Sequence, residues 1–169
     1  LMACSGWHGL ADGQSQHAAT ESLRALRLKP ESFWPEMILG WAYEQEGKYP
    51  EAISAFKDAV SHSGGISFAL AAQAHAHAIA GEREMARTIL AELHRRSGTG
   101  YVSAYDIASV YAGLGEKDQA LQWLERAYRE RSSFLINLAW EPRFRGLRSE
   151  PRFQAMVRKM GLPIRQDRV

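Results

Sequence analysis

Apolar residues along the chain follow the spacing of amphipathic helices. In the stretch GLGEKDQALQWLERAY (113–128), Ala120, Leu121, Leu124 and Ala127 recur on one helical face behind a glycine. No strand is evident along the chain. The pattern therefore predicts an all-α protein.

The pattern in 113–128 belongs to an internal repeat of the sequence. The glycine Gly115 recurs 34 residues earlier as Gly81 and again as Gly47, with no insertion or deletion between them. Five other positions keep the same register: Ala120, Ala86 and Ala52; Leu124, Leu90 and Phe56; Ala127, Leu93 and Ala59; Tyr111, His77 and Tyr43; Ala108, Ala74 and Gly40. A fixed period of this length is typical of stacked helical units.

Each unit is predicted to hold two helices. In the unit 33–66, helix A covers 34–46, the turn covers 47–49, and helix B covers 50–62. Small residues on both helices allow their backbones to approach, and the glycine supplies a turn conformation with positive φ. Larger residues such as Phe56 fill the space between units.

This repeat is similar to the tetratricopeptide repeat family. In the unit 33–66, Leu39-Gly40, Tyr43, Gly47, Ala52, Phe56 and Ala59 match the family pattern, and in the unit 101–134 so do Ala108, Tyr111, Gly115, Ala120, Leu124 and Ala127. The unit 67–100 departs from the pattern at Gln73 and His77, and none of the three units has the closing proline. The resemblance implies a right-handed α-α superhelix that acts as a scaffold.

The whole chain, 1–169, is predicted to form a single repeat domain. A partial unit, 1–32, comes first, with Gly6, Gly13, Ala18, Ala25 and Pro30 in the expected register. Full units 33–66, 67–100 and 101–134 follow, and 135–169 forms a C-terminal capping segment. Its capping helix is expected from the apolar stripe Phe153, Met156, Val157 and Met160, with Ser149 as N-cap and Gly161 as terminator.

The C-terminal part of the chain also resembles the end of repeat arrays in multidomain bacterial signalling proteins. Those proteins include winged-helix transcriptional regulators and serine/threonine kinases. The resemblance rests on the run 105–116 and on the Pro-Arg-Phe tail that follows the repeats. It implies a sensory or interaction module of a larger bacterial protein.

The resemblance also indicates which residues bind a protein or peptide. In the family, a concave groove is lined by set places on helix A of each unit. Carried over to this sequence, those places hold Trp34, Met37, Trp41, Glu44 and Gln45; Phe68, Ala71, His75, Ala78 and Ile79; and Val102, Tyr105, Ser109, Ala112 and Gly113, with Trp7 in the partial unit. Aromatic side chains of this kind anchor protein interfaces, although they also pack one helix A against the next.

No residue pattern indicates catalysis, so the chain is predicted not to be an enzyme and to use no cofactor. His75 and His77 are two apart on a helix and point to different faces, which excludes a shared metal ion. His77 occupies an aromatic core position and is expected to be packed and hydrogen-bonded. Asp106 and Glu116 have no partner that the sequence identifies. No metal site is predicted, and the single Cys4 excludes an intramolecular disulfide.

Two further partners stay open at this point. Residues 129–169 hold ten Arg and Lys against four Asp and Glu. Nucleic acid is therefore a less favoured alternative partner, through Arg143, Arg145, Arg148, Arg152, Arg158, Lys159 and Arg165. Self-association into a homo-oligomer, through the groove or the N-terminal face, is the other alternative. The sequence has no membrane-spanning stretch, and a cytoplasmic location is expected. Because Leu1-Met2-Ala3-Cys4 resembles a lipobox, lipid anchoring at Cys4 is the alternative to that location.

Overall fold

The computed structural model describes residues 14–163, which form α-helices and 3₁₀ turns without a β-strand. The α-helices are α1 Ser15–Leu28, α2 Phe33–Gln45, α3 Tyr49–His62, α4 Ser67–Ile79, α5 Arg83–Ser97, α6 Ala104–Gly113, α7 Lys117–Arg129 and α8 Pro151–Lys159. Two 3₁₀ turns, Ser133–Asn137 and Pro142–Leu147, lie between α7 and α8. The predictions for Cys4, Gly6, Trp7, Gly13 and Arg165 concern positions outside the described residues.

Successive helices pack in pairs, and the pairs stack on one another. Helices α2 and α3, α4 and α5, and α6 and α7 are in contact, while α4 also packs on α3 and on α6. The prediction of an all-α solenoid is therefore confirmed. The helix and turn positions agree with the sequence reading to within about one residue, as expected for helix ends.

The repeated glycines end the first helix of each pair. Gly47, Gly81 and Gly115 have φ of 71°, 86° and 75°. After each glycine, the N–H of the next residue donates to the carbonyl five residues earlier, at 2.9 Å in all three units. This bond is the Schellman arrangement, which requires a left-handed residue at the glycine position.

Small residues set the distance between helices. A Cβ at Gly40 would lie 2.5 Å from an atom of the Phe56 ring, so α2 approaches α3 as closely as the missing side chain allows. Helix α4 presents two alanine faces. Ala69, Ala72 and Ala76 pack with the core of α2 and α3, and Ala71, Ala74 and Ala78 pack with the core of α5 and α6.

Helix α8 caps the array, as predicted. It contacts α7, and Phe153, Met156 and Val157 are buried in the same core as Leu124 of α7. The N-cap prediction was wrong by one residue: Glu150 holds that position because the fixed φ of Pro151 starts the helix there. Gly161 follows the helix with φ 68° and ends it, as expected.

Candidate binding surface

The residues predicted to line the groove differ widely in exposure. Trp34 is 49% exposed, Gln45 is exposed, and Phe68 is partly buried. The other six main candidates are buried: Met37, Trp41, Glu44, His75, Tyr105 and Ser109. The aromatic residues of helices α2, α4 and α6 therefore form a surface on which Trp34 is exposed to solvent, whereas Trp41 and Tyr105 are buried.

The covered part is closed by a ring from outside the predicted groove. Phe134, in the first 3₁₀ turn, stacks on Phe68 with ring centroids 5.3 Å apart and lies 5.9 Å from the ring of Tyr105. Phe68 also contacts Trp34 at 6.1 Å and Trp41 at 5.6 Å. These five residues form one connected cluster of rings, which we call the aromatic face.

The sequence did not indicate Phe134 as part of this surface, because Phe134 is the last residue before the repeat pattern ends. The apolar run Phe134, Leu135 and Ile136 was the available signal. Such a run has no helical periodicity, so it does not show which of its side chains packs against the repeat helices.

A buried ion pair lies beside the aromatic face. The Arg143 guanidinium donates to both carboxylate oxygens of Glu141, from Nε and Nη2, each at 3.0 Å. Both side chains are only 2% exposed. The Tyr105 hydroxyl donates to Glu141 at 3.2 Å, and the Arg143 guanidinium lies 5.9 Å from the Trp41 ring centroid. The ion pair thus joins the segment after α7 to helices α2 and α6.

Burial and mutual attraction act in opposite directions on the pKa values of this pair. Burial favours the neutral forms, but the charge of Arg143 holds the pKa of Glu141 below its ordinary value. Burial likewise opposes the charge on Arg143, yet Glu141 raises the arginine pKa. Burial, and then the nearby Glu141 carboxylate, raise the pKa of the Tyr105 hydroxyl. The pair is charged in the folded protein.

His75 and His77 each pair with a carboxylate rather than with one another. Nδ1 of His75 lies 3.0 Å from Glu44, and this buried contact links α4 to α2. Nδ1 of His77 lies 2.7 Å from Glu82 across the turn, which confirms that His77 is packed and hydrogen-bonded. Within residues 14–163, no group of three His, Cys, Asp or Glu side chains is placed to hold a metal ion.

Asp106 is a buried carboxylate on α6. Burial raises its pKa to about 6, although the positive charge of Arg143 acts against that rise. Glu116, which the sequence left without a partner, pairs with Arg87 at 2.9 Å. Ser109 donates to the Asp106 backbone carbonyl at 2.7 Å, while His75 pairs with Glu44. Ser109 and Nδ1 of His75 therefore hydrogen-bond to different partners.

Trp34 also borders a hollow between α1 and α2. The hollow has a volume of about 540 Å³ and is lined by Glu21, Ser22, Arg24, Ala25, Leu28, Trp34, Pro35 and Ile38. Leu28 at its edge is 85% exposed. The aromatic face is therefore continuous, through Trp34, with an open and mainly apolar depression.

Two segments of the chain match the sequence model of the tetratricopeptide repeat family. They are 37–61, which covers most of α2 and α3, and 102–133, which covers α6 and α7. These two helix pairs are similar to tetratricopeptide repeats. Repeats of this family are protein-interaction scaffolds in general and are typically non-enzymatic.

The segment between the two matched repeats is the unit with Gln73 and His77 in place of the family residues. Helices α4 and α5 nevertheless pack there as a pair between the matched tetratricopeptide units. Neither the curated proteins nor the solved structures contain a match to the chain. In the described range 14–163, none of the helices has the length and apolar character needed to cross a membrane.

Proposed function

We propose that this tetratricopeptide repeat chain is a non-enzymatic interaction module of a larger bacterial signalling protein. It binds a protein or peptide through the aromatic face. The observation that carries the proposal is the exposure of Trp34 between Phe68 and the hollow beside α1. A half-exposed tryptophan bordered by an apolar depression is the kind of anchor that dominates protein interfaces.

Within the proposed surface, exposure separates contact residues from supporting ones. Trp34, Gln45 and Phe68 are accessible to a partner, whereas Met37, Trp41 and Tyr105 are not. Glu44, His75 and Ser109 are buried and hydrogen-bonded. In this proposal the buried set holds helices α2, α4 and α6 in place, and the accessible set contacts the partner.

The experiment is a selection of random linear peptides on the immobilised protein, followed by affinity measurements. For a selected peptide, Trp34→Ala should weaken binding by more than about 1 kcal/mol, or roughly fivefold, because it removes a large interface side chain. Circular dichroism should show an unchanged helical content, since half of the Trp34 side chain is already in solvent.

Met85→Ala is the matched control, because Met85 is also 49% exposed but lies on α5. It should leave the peptide affinity unchanged. Selection of no peptide, or of peptides that bind the Trp34→Ala protein as well as the parent, would contradict the proposal.

Self-association is the second candidate function. It is favoured by exposed apolar side chains around the hollow, where Leu28 and Trp34 lie together. A second copy of the chain would then cover the hollow. Light scattering over a dilution series tests this: a mass that falls towards that of one chain on dilution supports it, and a constant monomer mass excludes it.

Nucleic-acid association has less support from the contacts of the basic residues. Arg143 is buried against Glu141, and Arg152 pairs with Glu125 at 2.9 Å. Arg145, Arg158 and Lys159 are exposed. Binding of this kind would fall steeply with salt, and absence of binding at low salt would exclude it.

A further inference from the structure

Phe134 occupies a position on the aromatic face that does not belong to the repeat helices. Its ring plane is within 14° of that of Phe68 and within 25° of that of Tyr105, so it stacks on both. Phe68 belongs to α4 and Tyr105 to α6. A planar apolar side chain is thus bound by two successive units of the array. We call this position the Phe134 site.

The turn that carries Phe134 is anchored in the core by one side chain, that of Leu135. In Ser133–Asn137, only Leu135 is buried, while Phe134 is 36% exposed and Ile136 is 63% exposed. Immediately afterwards, Leu138 and Ala139 are buried in the core with α6 and α7. A movement of Phe134 can therefore be confined to the residues before Leu135, which is held in the core together with Leu138.

The backbone is strained just before this turn, at Arg131. Arg131 has φ 55°, and it is the one non-glycine residue with positive φ in the described part of the chain. The Ser132 N–H donates to the Ala127 carbonyl at 3.0 Å and closes the end of α7 around it. Left-handed non-glycine residues are costly and occur preferentially at switch regions.

We propose that Phe134 is an intramolecular ligand of the Phe68 and Tyr105 rings. A partner peptide with an aromatic side chain displaces Phe134 and stacks on Phe68 and Tyr105 in its place. Phe134 swings out on the segment that follows Arg131, while Leu135 and Leu138 stay buried in the core. This proposal rests on the binding role proposed above and adds the chemistry of the partner's anchoring residue.

The displacement can be tested with a peptide taken from the chain itself. The probe is RSSFLINL, residues 131–138, which has one aromatic residue and carries a fluorescent label for anisotropy measurements. Phe134→Ala in the full chain removes the internal competitor and should tighten probe binding by about tenfold, the factor expected if Phe134 occupies its site about nine-tenths of the time.

Two controls make the test specific. Ile136→Ala changes an exposed residue of the same turn and should bind the probe like the unchanged protein. A probe with alanine at its phenylalanine should bind none of the three proteins. The proposal is overturned if Phe134→Ala binds the probe no tighter than the unchanged protein, or binds the alanine probe equally well.

A second measurement leaves the fold of the chain intact. With 4-fluorophenylalanine at position 134, the fluorine resonance should move towards that of the solvent-exposed peptide as unlabelled RSSFLINL is added in excess. An unchanged resonance while the probe is bound would also overturn the proposal.

Failure of this inference is distinguishable from failure of the proposed function. Selected peptides that depend on Trp34 but bind Phe134→Ala no more tightly would leave the binding module standing and remove the displacement. Absence of any Trp34-dependent peptide would instead remove the binding module.

Discussion

Asp106 places a carboxylate where solvent cannot reach it. Its pKa of about 6 lies above the value near 4 of an aspartate in an unfolded chain. Between these two values the unfolded chain loses its proton first, so the free energy of unfolding falls as pH rises through this window. Above pH 6 both states are ionised, and the folded protein carries the whole penalty of about 3 kcal/mol.

Asp106→Asn should remove this penalty. The difference in unfolding free energy between the variant and the unchanged protein should grow by about 2 kcal/mol in favour of the variant from pH 4 to pH 7.5. The reason is that the variant has no carboxylate to ionise in the core. Urea denaturation at the two pH values measures the gain. Asp118→Asn is the control for the same change of side chain at the surface, since the Asp118 side chain is 90% exposed. A pH-independent effect of Asp106→Asn would contradict the assignment.

Among the structural elements, the end of α7 differs from the ends of α2, α4 and α6, which are followed by glycines with positive φ. A residue with positive φ follows it, but that residue is Arg131 rather than glycine. Arg131→Gly should raise the unfolding free energy by about 1 kcal/mol, because glycine adopts this conformation without a Cβ clash. Thermal or urea unfolding tests this expectation.

The matched substitution is Arg129→Gly, two residues earlier and still within α7. It should lower stability by up to about 1 kcal/mol, since glycine is unfavourable in a helix. Effects of the same sign in the two variants would show that the backbone at Arg131 is not strained.

The sequence located the repeat helices and the capping helix α8, but it did not predict the two 3₁₀ turns between α7 and α8. Gly47, Gly81 and Gly115 mark three turns whose geometry leaves little freedom, so the flanking helices could be located closely. The 3₁₀ turns at Ser133–Asn137 and Pro142–Leu147 have no hydrophobic period. Their burial depends on contacts with distant residues such as Phe68, which no local pattern encodes.

The same limit applies to the candidate surface. A position within the repeat indicates the side of helix A on which Trp41 or Tyr105 lies, but not which segment covers it. Glu141 and Arg143 are two residues apart in a stretch without α-helical periodicity. The sequence alone favours an exposed location for both. Their burial follows from the return of the chain over helices α2 and α6.

At the scale of the whole molecule, the Glu141–Arg143 pair connects the C-terminal segment to the repeats. Arg143→Met should lower the unfolding free energy by about 3–5 kcal/mol, because it leaves the buried Glu141 carboxylate without its counter-charge. The double variant Glu141→Gln with Arg143→Met should recover part of that loss. Urea denaturation of the single and double variants gives the coupling between the two residues.

Arg145→Met is the control for this pair, because Arg145 lies on the same turn and is exposed. It should change stability by less than about 0.5 kcal/mol. If Arg143→Met were equally mild, the ion pair would not hold the segment against the repeats.

Helix α4 presents three buried alanines to each of the two cores beside it. Alanine has no rotatable side chain, so the spacing between the first and third full units is fixed there by the backbone itself. A longer side chain on either face has no alternative rotamer that avoids its neighbour. The middle of the array is consequently a rigid spacer, and elastic deformation under load is expected at its two ends.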